Sequence, residues 1–335
     1  PNPEATKKFA NNMSKIFFDE LGLPEPDYYL GVGSDSHAKQ TAKIMVEFES
    51  ILFKEKPNIV LVAGDVNSTI ACALATVKLN IKVAHIESGL RSFDRKMPEE
   101  INRVLTDSIS DYLFVTEKSG LENLKTEGVS DEKIFHVGNT MIDWVFHYLD
   151  KADRSTVLRR FDINQQDFVL VTLHRPSNVD DQTVLEQILN ALEKIQEKIK
   201  IIFPIHPRTK KKIDDLEDSN YMISSQNICF CEPLGYLDFL KLIKSAKVVL
   251  TDSGGIQEES TALGVPCLTL RENTERPITI EKGTNKLVEI STEKIIKSVE
   301  EILSNANINS IIPSLWDGNA SGRIIDILNK RLSEL

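Results

Sequence analysis

Residues 248–259 read V-V-L-T-D-S-G-G-I-Q-E-E. A short β-branched run, typical of a buried strand, passes through two adjacent glycines into a segment that predicts a helix. Ser253, Gly254 and Gly255 therefore lie where N–H groups at a helix N-terminus favour an anion, and the glycines let a diphosphate approach closely. We interpret this segment as a strand–turn–helix unit with a phosphate-binding turn; the alternative is a tight turn without a ligand.

The same alternation of strand and helix extends along the chain in both directions. Further apolar runs that predict strands lie at residues 58–63, 82–86, 112–115, 133–137, 168–172, 201–204, 228–231 and 267–270. Segments that predict helices lie between them, at residues 68–78, 99–110, 119–127, 142–149 and 183–197. Because continuous apolar strands alternating with helices form parallel sheets covered on both faces, the sequence predicts the α/β class.

Two domains are expected, because the chain has 335 residues and one domain usually has about 100–200. The charged residues 151–166 interrupt the alternation, so we place a boundary there. Residues 1–150 are expected to form a first Rossmann-like domain and residues 151–315 a second. Residues 316–335 predict a terminal helix that begins near Gly318.

The overall composition excludes several classes of function. A net charge of -10 argues against a nucleic-acid partner, and no apolar run approaches the about 18 residues of a membrane span. Residues 1–10 lack the apolar core of a signal peptide, so we expect a cytoplasmic protein without a membrane partner. The cysteines lie in apolar segments and predict core thiols in a reducing compartment: Cys72, Cys229, Cys231 and Cys267.

The sequence lacks the motifs that would indicate a cofactor. No G-x-G-x-x-G follows a strand with an acidic residue about twenty positions later, and no Walker A motif is present. Metal-ligand spacings such as H-E-x-x-H are also missing. We therefore expect neither NAD nor a metal ion. Instead, we expect side chains and the leaving group of the substrate to carry the chemistry.

Ionisable side chains cluster near the ends of predicted strands. Parallel sheets bind ligands beyond the carboxyl ends of their strands, and this rule directs attention to Asp65, Glu87, Glu99, His174 and His206. Taken singly, these residues have plainer interpretations: a helix N-cap for Asp65, a loop carboxylate for Glu87 and structural roles for the histidines. Their recurrence after several strands favours a ligand site.

Two further residues suit a ligand with a ribose and phosphates. Glu259 lies on the helix after the glycine turn, where a carboxylate accepts hydrogen bonds from ribose hydroxyls. Arg276 offers a fixed positive charge to the phosphates.

Eight motifs occur together in order along the chain. They are GD at residues 64–65, HIESGLR at 85–91, PEEINR at 98–103, GNTMID at 138–143, LHRPSN at 173–178, PIHPRT at 204–209, TDSGGIQEE at 251–259 and TERP at 274–277. Together they resemble the non-hydrolysing UDP-N-acetylglucosamine 2-epimerases over nearly the whole chain. The resemblance implies a glycosyltransferase-B-like fold, in which two Rossmann-like domains face one cleft and the terminal helix returns to the first domain.

The resemblance also implies an activity. Members of this family interconvert UDP-N-acetylglucosamine and UDP-N-acetylmannosamine by anti elimination of UDP. The resulting 2-acetamidoglucal is reprotonated at carbon 2 on its other face, and UDP adds back syn. This route needs no hydride cofactor. The resemblance further implies a UDP-sugar as the substrate, a homodimer and a role in supplying surface polysaccharide.

Residue roles come from the matched motifs. Asp65, Glu87 and Glu99 match the acid/base carboxylates of the family, and His174 matches its active-site histidine. The other implied substrate contacts are His206 at the substrate, Leu234 and Phe239 at the uracil, Ser253, Gly254 and Gly255 at the diphosphate, Glu259 at the ribose and Arg276 at the phosphates.

The resemblance begins after the family's opening segment. No counterpart of its strand ending in G-T-R-P-E, or of the lysine that follows, precedes Pro1, and Lys8-Phe9-Ala10 stands in place of T-G-Q-H-Y-D. Three alternatives therefore stay open beside the epimerase. They are an epimerase of a UDP-diacetamido-uronate, a hydrolysing relative that releases N-acetylmannosamine and UDP, and an inactive truncated homologue that binds a UDP-sugar.

Overall fold

The structure, a computed structural model, describes residues 21–163, 167–217, 226–304 and 311–333. Within them the chain divides into two compact units. The first consists of the described residues up to Thr140 and those from Asp317 onward, and the second lies within Met141–Trp316. No helix in the described ranges combines the length and the apolar character that crossing a membrane requires. The segment that contains Lys8-Phe9-Ala10 lies outside these ranges.

The first unit contains a four-stranded parallel sheet with the order β1-β2-β3-β4. Its strands are β1 (Ile59–Ala63), β2 (Lys82–Ser88), β3 (Tyr112–Val115) and β4 (Ile134–His136). Its helices are α1 (His37–Glu55), α2 (Asn67–Lys78), α3 (Pro98–Ile109) and α4 (Lys118–Thr126). Ala63 pairs with Ile86 at the carboxyl ends of β1 and β2, so the loops that follow these two strands are neighbours.

The second unit contains a six-stranded parallel sheet with the order β10-β9-β8-β5-β6-β7. Its strands are β5 (Phe168–Thr172), β6 (Lys200–Pro204), β7 (Ile228–Cys231), β8 (Val248–Thr251), β9 (Cys267–Thr269) and β10 (Asn285–Leu287). The helices are α5 (Thr140–Asp153), α6 (Val157–Arg160), α7 (Pro176–Val179), α8 (Gln182–Ile195), α9 (Pro207–Glu217), α10 (Tyr236–Ser245), α11 (Gly254–Ala262), α12 (Pro277–Glu281) and α13 (Thr292–Ser304).

The central strand β5 shows why these apolar runs form strands. Val169 and Val171 point into one apolar cluster, and Phe168 and Leu170 point into another on the opposite face of the sheet. All four residues are buried, because helices cover both faces. A continuous apolar run therefore suits a strand whose successive side chains alternate between two cores.

Strand β10 was not predicted from the sequence. Only Leu287 among its three residues is apolar. Asn285 is nevertheless buried, because its side-chain oxygen accepts a hydrogen bond from the Thr269 hydroxyl of β9 at 2.7 Å. Tertiary hydrogen bonding, rather than local apolar pattern, places this strand in the sheet.

The first unit ends earlier in the chain than the boundary expected at residues 151–166. Helix α5, which was assigned to the first domain, packs almost entirely within the second unit. Asp153 accepts hydrogen bonds from Lys241 at 2.9 Å and from Lys244 at 2.7 Å, and the Tyr148 ring lies edge-on to Tyr236. These contacts depend on side chains far apart in sequence, so the charge pattern of residues 151–166 did not locate the boundary.

The terminal helix α14 (Ala320–Leu332) packs on the sheet of the first unit. Ile324 and Leu328 join the apolar cluster formed by Ala84 and Phe114 of the central strands. Arg323 adds a hydrogen bond of 3.0 Å to the carbonyl oxygen of Val137. The chain thus completes its first unit with residues from both ends of the described sequence.

Candidate active site

Asp65 lies in the loop directly after β1. Gly64 has a φ of 69°, and its amide donates to the Ile86 carbonyl oxygen of β2 at 3.1 Å. The Asp65 carboxylate accepts from Arg103 Nε at 3.0 Å and from Arg103 Nη2 at 2.7 Å. Asp65 is not a helix N-cap, because Val66 occupies that position of α2 and the cap has no side-chain hydrogen bond. The plainer interpretation of Asp65 is therefore wrong.

Glu87 lies at an irregularity near the end of β2. Its φ is 68°, in the left-handed region that residues with a side chain seldom occupy. The pairing register between β2 and β3 shifts between Ile86 and Ser88, so the residue lies in a bulge. Bulges redirect side chains and are frequent beside active sites. The half-buried Glu87 side chain therefore leaves the regular alternation of the strand.

The two adjacent glutamates of α3 have different surroundings. Glu99 lines a cavity of about 410 Å³ together with Asn67 and Asn102. Glu100 is buried and accepts hydrogen bonds from the Ser92 amide at 2.9 Å, from Phe93 and from Arg103. Burial raises the pKa of Glu100, but these hydrogen bonds outweigh it and lower the pKa. Glu100 thus holds the loop before α3, whereas Glu99 faces open space.

The first unit brings its three predicted carboxylates to one edge of the sheet. Asp65 follows β1, Glu87 lies near the end of the neighbouring strand β2, and Glu99 lies in the first turn of the helix that also provides Asn102. The Asn102 amide donates to the Asp65 carbonyl oxygen at 2.9 Å, so α3 is linked to the loop after β1. Sequence reasoning did not assign Asn102 or Arg103, although both lie in the quoted PEEINR motif.

The glycine turn of the second unit begins α11. Ser253 precedes the helix, and its amide donates to the Thr251 hydroxyl at 3.0 Å. A Cβ atom at Gly255 would have no neighbour within 4 Å, whereas one at Gly254 would lie 2.8 Å from Glu275 Oε1. The turn therefore presents helix N-terminal amides beside open space at Gly255, the arrangement that a diphosphate requires.

A network of uncharged side chains supports this turn. Gln257 is fully buried, its Nε2 donates to the Ser253 carbonyl oxygen at 3.2 Å, and its Oε1 accepts from the Thr274 hydroxyl at 2.7 Å. The Asn285 amide donates to the same Oε1 at 3.0 Å and to the Thr279 hydroxyl at 3.1 Å. This network could not be predicted from the sequence, because its members come from α11, the loop after β9, α12 and the unpredicted β10.

His174 follows β5 and is held by a buried aspartate. Asp252 has no exposed surface, and its Oδ1 lies 2.9 Å from His174 Nδ1. It also accepts from the amides of His174 and Arg175 and from the Asn178 side chain. The contact occupies Nδ1 and fixes the ring orientation, so Nε2 is the nitrogen that the ring presents outward. Asp252 lies in the TDSGGIQEE motif, but the sequence did not indicate this supporting role.

His206 lies near His174, with 6.2 Å between the ring centroids. Its Nδ1 accepts from the Arg208 amide at 3.2 Å, which assigns the proton of the neutral ring to Nε2. Burial lowers the pKa of His206, and the charges of His174 and Arg208 lower it further.

Glu259 is buried on α11 beside Tyr236 of α10. Burial raises the pKa of Glu259 to about 7, although a hydrogen bond from the Tyr236 hydroxyl opposes the shift. The same burial raises the pKa of Tyr236. A carboxylate that is half protonated near neutral pH gains from hydroxyl donors that stabilise its ionised form.

Arg276 belongs to a group of buried charges after β9. Its Nε lies 2.8 Å from Glu258 Oε1. The neighbouring Glu275 lies 2.8 Å from Arg271 Nη2. Burial raises the pKa of Glu275, but Arg276 and Arg271 outweigh it and lower the pKa to about 2. The segment that carries Arg276 is thus fixed by ion pairs before any ligand binds.

The two residues predicted at the uracil pack on one apolar cluster. Leu234 and Phe239 are partly buried against the cluster that includes Leu242 and Ile243. Ile256 of α11 packs on the same cluster, so both residues lie in the part of the second unit that carries the glycine turn. Among the residues that the structure describes, no group of three or more His, Cys, Asp or Glu side chains is placed to hold a metal ion.

Comparison with known proteins matches this chain to one family. The family model described as UDP-N-acetylglucosamine 2-epimerase matches residues 5–329. The chain belongs to this family. The resemblance stated from the eight motifs is thereby confirmed.

Relatives and solved structures extend this match. A UDP-N-acetylglucosamine 2-epimerase of Methanocaldococcus jannaschii is 48% identical over 96% of this chain and 88% of its own length. The structure of the enzyme from that organism in complex with UDP-GlcNAc and UDP has a TM-score of 0.85, covering 94% of this chain and 88% of that one. A Pseudomonas aeruginosa UDP-2,3-diacetamido-2,3-dideoxy-D-glucuronate 2-epimerase is 41% identical over 96% of this chain and 89% of its own. The predicted α/β class with two Rossmann-like units of the glycosyltransferase-B type is confirmed.

Proposed function

We propose that this protein interconverts UDP-N-acetylglucosamine and UDP-N-acetylmannosamine by elimination and re-addition of UDP. The observation that supports this proposal is that Asp65 and Glu87 lie at the carboxyl ends of the paired strands β1 and β2, and that α3, which carries Glu99, is hydrogen-bonded to the Asp65 loop. Removal and return of a proton at carbon 2 require carboxylates that contact that carbon in different protonation states. Membership of the family and the likeness to a UDP-GlcNAc-bound relative support the same substrate.

In the forward direction, one carboxylate takes the proton from carbon 2. The electron pair of the C2–H bond forms the C1–C2 double bond, and the C1–O bond breaks with its electrons on the UDP oxygen. Reprotonation of carbon 2 on the other face, with attack of that oxygen on carbon 1, completes the epimerisation. This sequence of steps needs one group that removes the proton and another that returns it on the opposite face, and carboxylates can serve as both.

The second unit is proposed to bind UDP. The amides at Ser253, Gly254 and Gly255 and the guanidinium of Arg276 suit the diphosphate, which carries the leaving electron pair. Glu259 suits the ribose hydroxyls, because their hydrogen bonds favour its ionised form. Leu234 and Phe239 suit the uracil through apolar packing. His174, oriented by Asp252, and His206 are proposed to contact the sugar side of the substrate.

The test follows the products from both directions by proton and phosphorus NMR. Either UDP-sugar, supplied alone, is expected to give the same equilibrium mixture of the two epimers. Free N-acetylmannosamine with UDP would instead identify a hydrolysing relative. Binding of UDP without any product would contradict the epimerase.

A second substrate class is favoured by one comparison. The Pseudomonas aeruginosa relative is named as an epimerase of a diacetamido-uronate, and it is 41% identical to this chain. Competition between UDP-N-acetylglucosamine and this uronate decides between them, and a higher kcat/KM for the uronate would assign the protein to it.

We further propose a cytoplasmic homodimer without a cofactor. Support comes from the family, whose members are usually dimers, and from a nucleotide-sugar substrate that is made in the cytoplasm. Sedimentation of the purified chain at several concentrations tests the dimer, and a monomer at all of them would contradict it.

A further inference from the structure

A buried ion pair lies beneath the ends of β1 and β2 in the first unit. His85 has no exposed surface; its Nδ1 lies 2.6 Å from Asp107 Oδ1, and its Nε2 lies 2.9 Å from the Gly64 carbonyl oxygen. Asp107 of α3 is 2% exposed. Its Oδ2 accepts from the Gly89 amide at 3.0 Å and lies 2.7 Å from Arg91 Nη2. The pair thus has fixed partners on three sides.

These partners determine the protonation of His85. A carbonyl oxygen only accepts hydrogen bonds, so the Nε2 that faces Gly64 carries a proton. Burial raises the pKa of Asp107, but His85 and Arg91 outweigh it and lower the pKa, so Asp107 is ionised and Nδ1 carries a proton as well. Burial lowers the pKa of His85, yet Asp107 and the carbonyl of Gly64 raise it overall. His85 is therefore an imidazolium that donates from both nitrogens.

The ion pair reaches both loops that carry the proposed proton-transfer carboxylates. Gly64 directly precedes Asp65, so the hydrogen bond from His85 fixes the peptide from which Asp65 projects. Asp107 binds His85 and the Gly89 amide, which lie two residues before and two residues after Glu87. It therefore brackets the bulge in which Glu87 has a φ of 68°. Such a backbone conformation persists only where the surroundings hold it.

We infer that His85 and Asp107 are positioning residues that set the orientation of Asp65 and Glu87 during epimerisation. This inference rests on the proposed function. Both residues are buried and act through the two loops rather than by touching the substrate. Misplacement of a reacting group by 1 Å costs on the order of 100-fold in rate. Loss of the pair is therefore expected to lower kcat and to leave binding of the nucleotide unchanged.

The test compares Asp107→Asn and Asp107→Ala by deuterium incorporation at carbon 2 of UDP-N-acetylglucosamine in heavy water. Asparagine keeps the shape: its oxygen accepts from the Gly89 amide, and its NH₂ donates to Nδ1 of a neutral His85. Alanine removes both contacts. We expect kcat to fall about 10-fold for the asparagine variant and about 100-fold for the alanine variant. KM and the dissociation constant of UDP should stay at their wild-type values.

Asp111→Asn is the matched control, because Asp111 holds the same strand at its other end. Its Oδ2 accepts from the Val83 amide at 3.0 Å, and its Oδ1 accepts from Lys82 at 2.9 Å. This variant is expected to lose stability without losing kcat. If Asp107→Asn acted only by weakening the fold, it too would lower stability and leave kcat unchanged.

His85→Gln provides a second variant if Asp107→Ala does not fold. A glutamine amide reaches the position of Nε2 and keeps the bond to Gly64, but it gives up the contact with Asp107. It is expected to lower kcat at constant KM.

Two contradictory results have different meanings. A wild-type chain that incorporates no deuterium would end the proposed function, and the inference would fall with it. If the wild-type chain incorporates deuterium, the proposed function stands. Asp107→Asn and His85→Gln variants with an unchanged kcat, or with only a raised KM, would then overturn the inference alone.

Discussion

In the first unit, the buried ion pair of His85 and Asp107 holds the loops of Asp65 and Glu87 in place. In the second unit, the uncharged side chain of Gln257 hydrogen-bonds to the turn at Ser253, and Asn285 hydrogen-bonds to Gln257. The Glu275 carboxylate lies beside Gly254, but the side chains that hydrogen-bond to each other and to the turn there are neutral. Charged supports instead give stronger and more directional hydrogen bonds to groups whose orientation matters.

The supports of the second unit follow the same division. Asp252, the buried carboxylate beside the turn, directs its hydrogen bonds to His174, Arg175 and Asn178 rather than to the amides that begin α11. A charged group thus orients His174, whereas the side chain that hydrogen-bonds to the Ser253 carbonyl is neutral. We therefore propose that the first unit carries out proton transfer and that the second binds the anionic part of the substrate.

The largest expected effect separates these tasks in the first unit. Glu87→Gln removes a carboxylate but keeps its size and its place in the bulge. We expect turnover to fall by about 10²- to 10⁴-fold, the usual contribution of a general acid or base. The dissociation constant of UDP, measured by calorimetry, should not change. Weakened UDP binding together with normal turnover would refute the division.

The second prediction tests the anion turn itself. Gly255→Ala adds a Cβ that meets no protein atom, so the fold should tolerate it and gain up to about 1 kcal/mol of stability in a helix. The added methyl group occupies the space proposed for the diphosphate, so we expect UDP to bind roughly 10-fold more weakly, a loss of about 1.4 kcal/mol.

Gly322→Ala in α14 is the control for Gly255→Ala, because a Cβ there also meets no protein atom. It should bring a similar gain in stability and no change in UDP affinity. If Gly255→Ala and Gly322→Ala bind UDP equally well, the diphosphate does not bind at the glycine turn.

A further expected effect is a pH dependence of the free energy of unfolding. The pKa of Glu259 is raised from 4.5 to about 7 in the folded protein, so folding takes up a proton between these values. The resulting stability is fully present below pH 4.5 and is lost as the pH rises through 7, by about 3 kcal/mol at most. Glu259→Gln should remove this slope in urea unfolding followed from pH 5 to 8. A variant with the wild-type slope would show that another group is responsible.

The sequence was sufficient for the parts of the fold that depend on local pattern. Runs such as 168–172 and 248–251 predicted strands because each of their apolar residues joins a core on one face of the sheet or the other. Strand β10 escaped prediction, because Asn285 is placed by hydrogen bonds from residues distant in the chain. The domain boundary near Thr140 was not predicted for the same reason, because contacts such as those of Asp153 with α10 attach helix α5 to the second unit.

The candidate site was predictable only in part. Residues proposed to contact a ligand carry a chemical signature, as the acids near the ends of β1 and β2 and the glycines that begin α11 do. Residues that support them do not, since Asp107 reads as an ordinary helical aspartate until the fold places it against His85. The structural role of Glu100 could not be predicted from the sequence either, because it depends on which carboxylate the Ser92 and Phe93 amides reach.

Proton exchange at carbon 2 is tested most directly by the mass of each epimer after wild-type turnover in heavy water. If carboxylates of the first unit exchange the proton at carbon 2, UDP-N-acetylglucosamine and UDP-N-acetylmannosamine should each gain one deuterium at that carbon. The sugar's other carbon-bound hydrogens should remain protium. Interconversion of the two epimers with protium retained at carbon 2 would contradict the account.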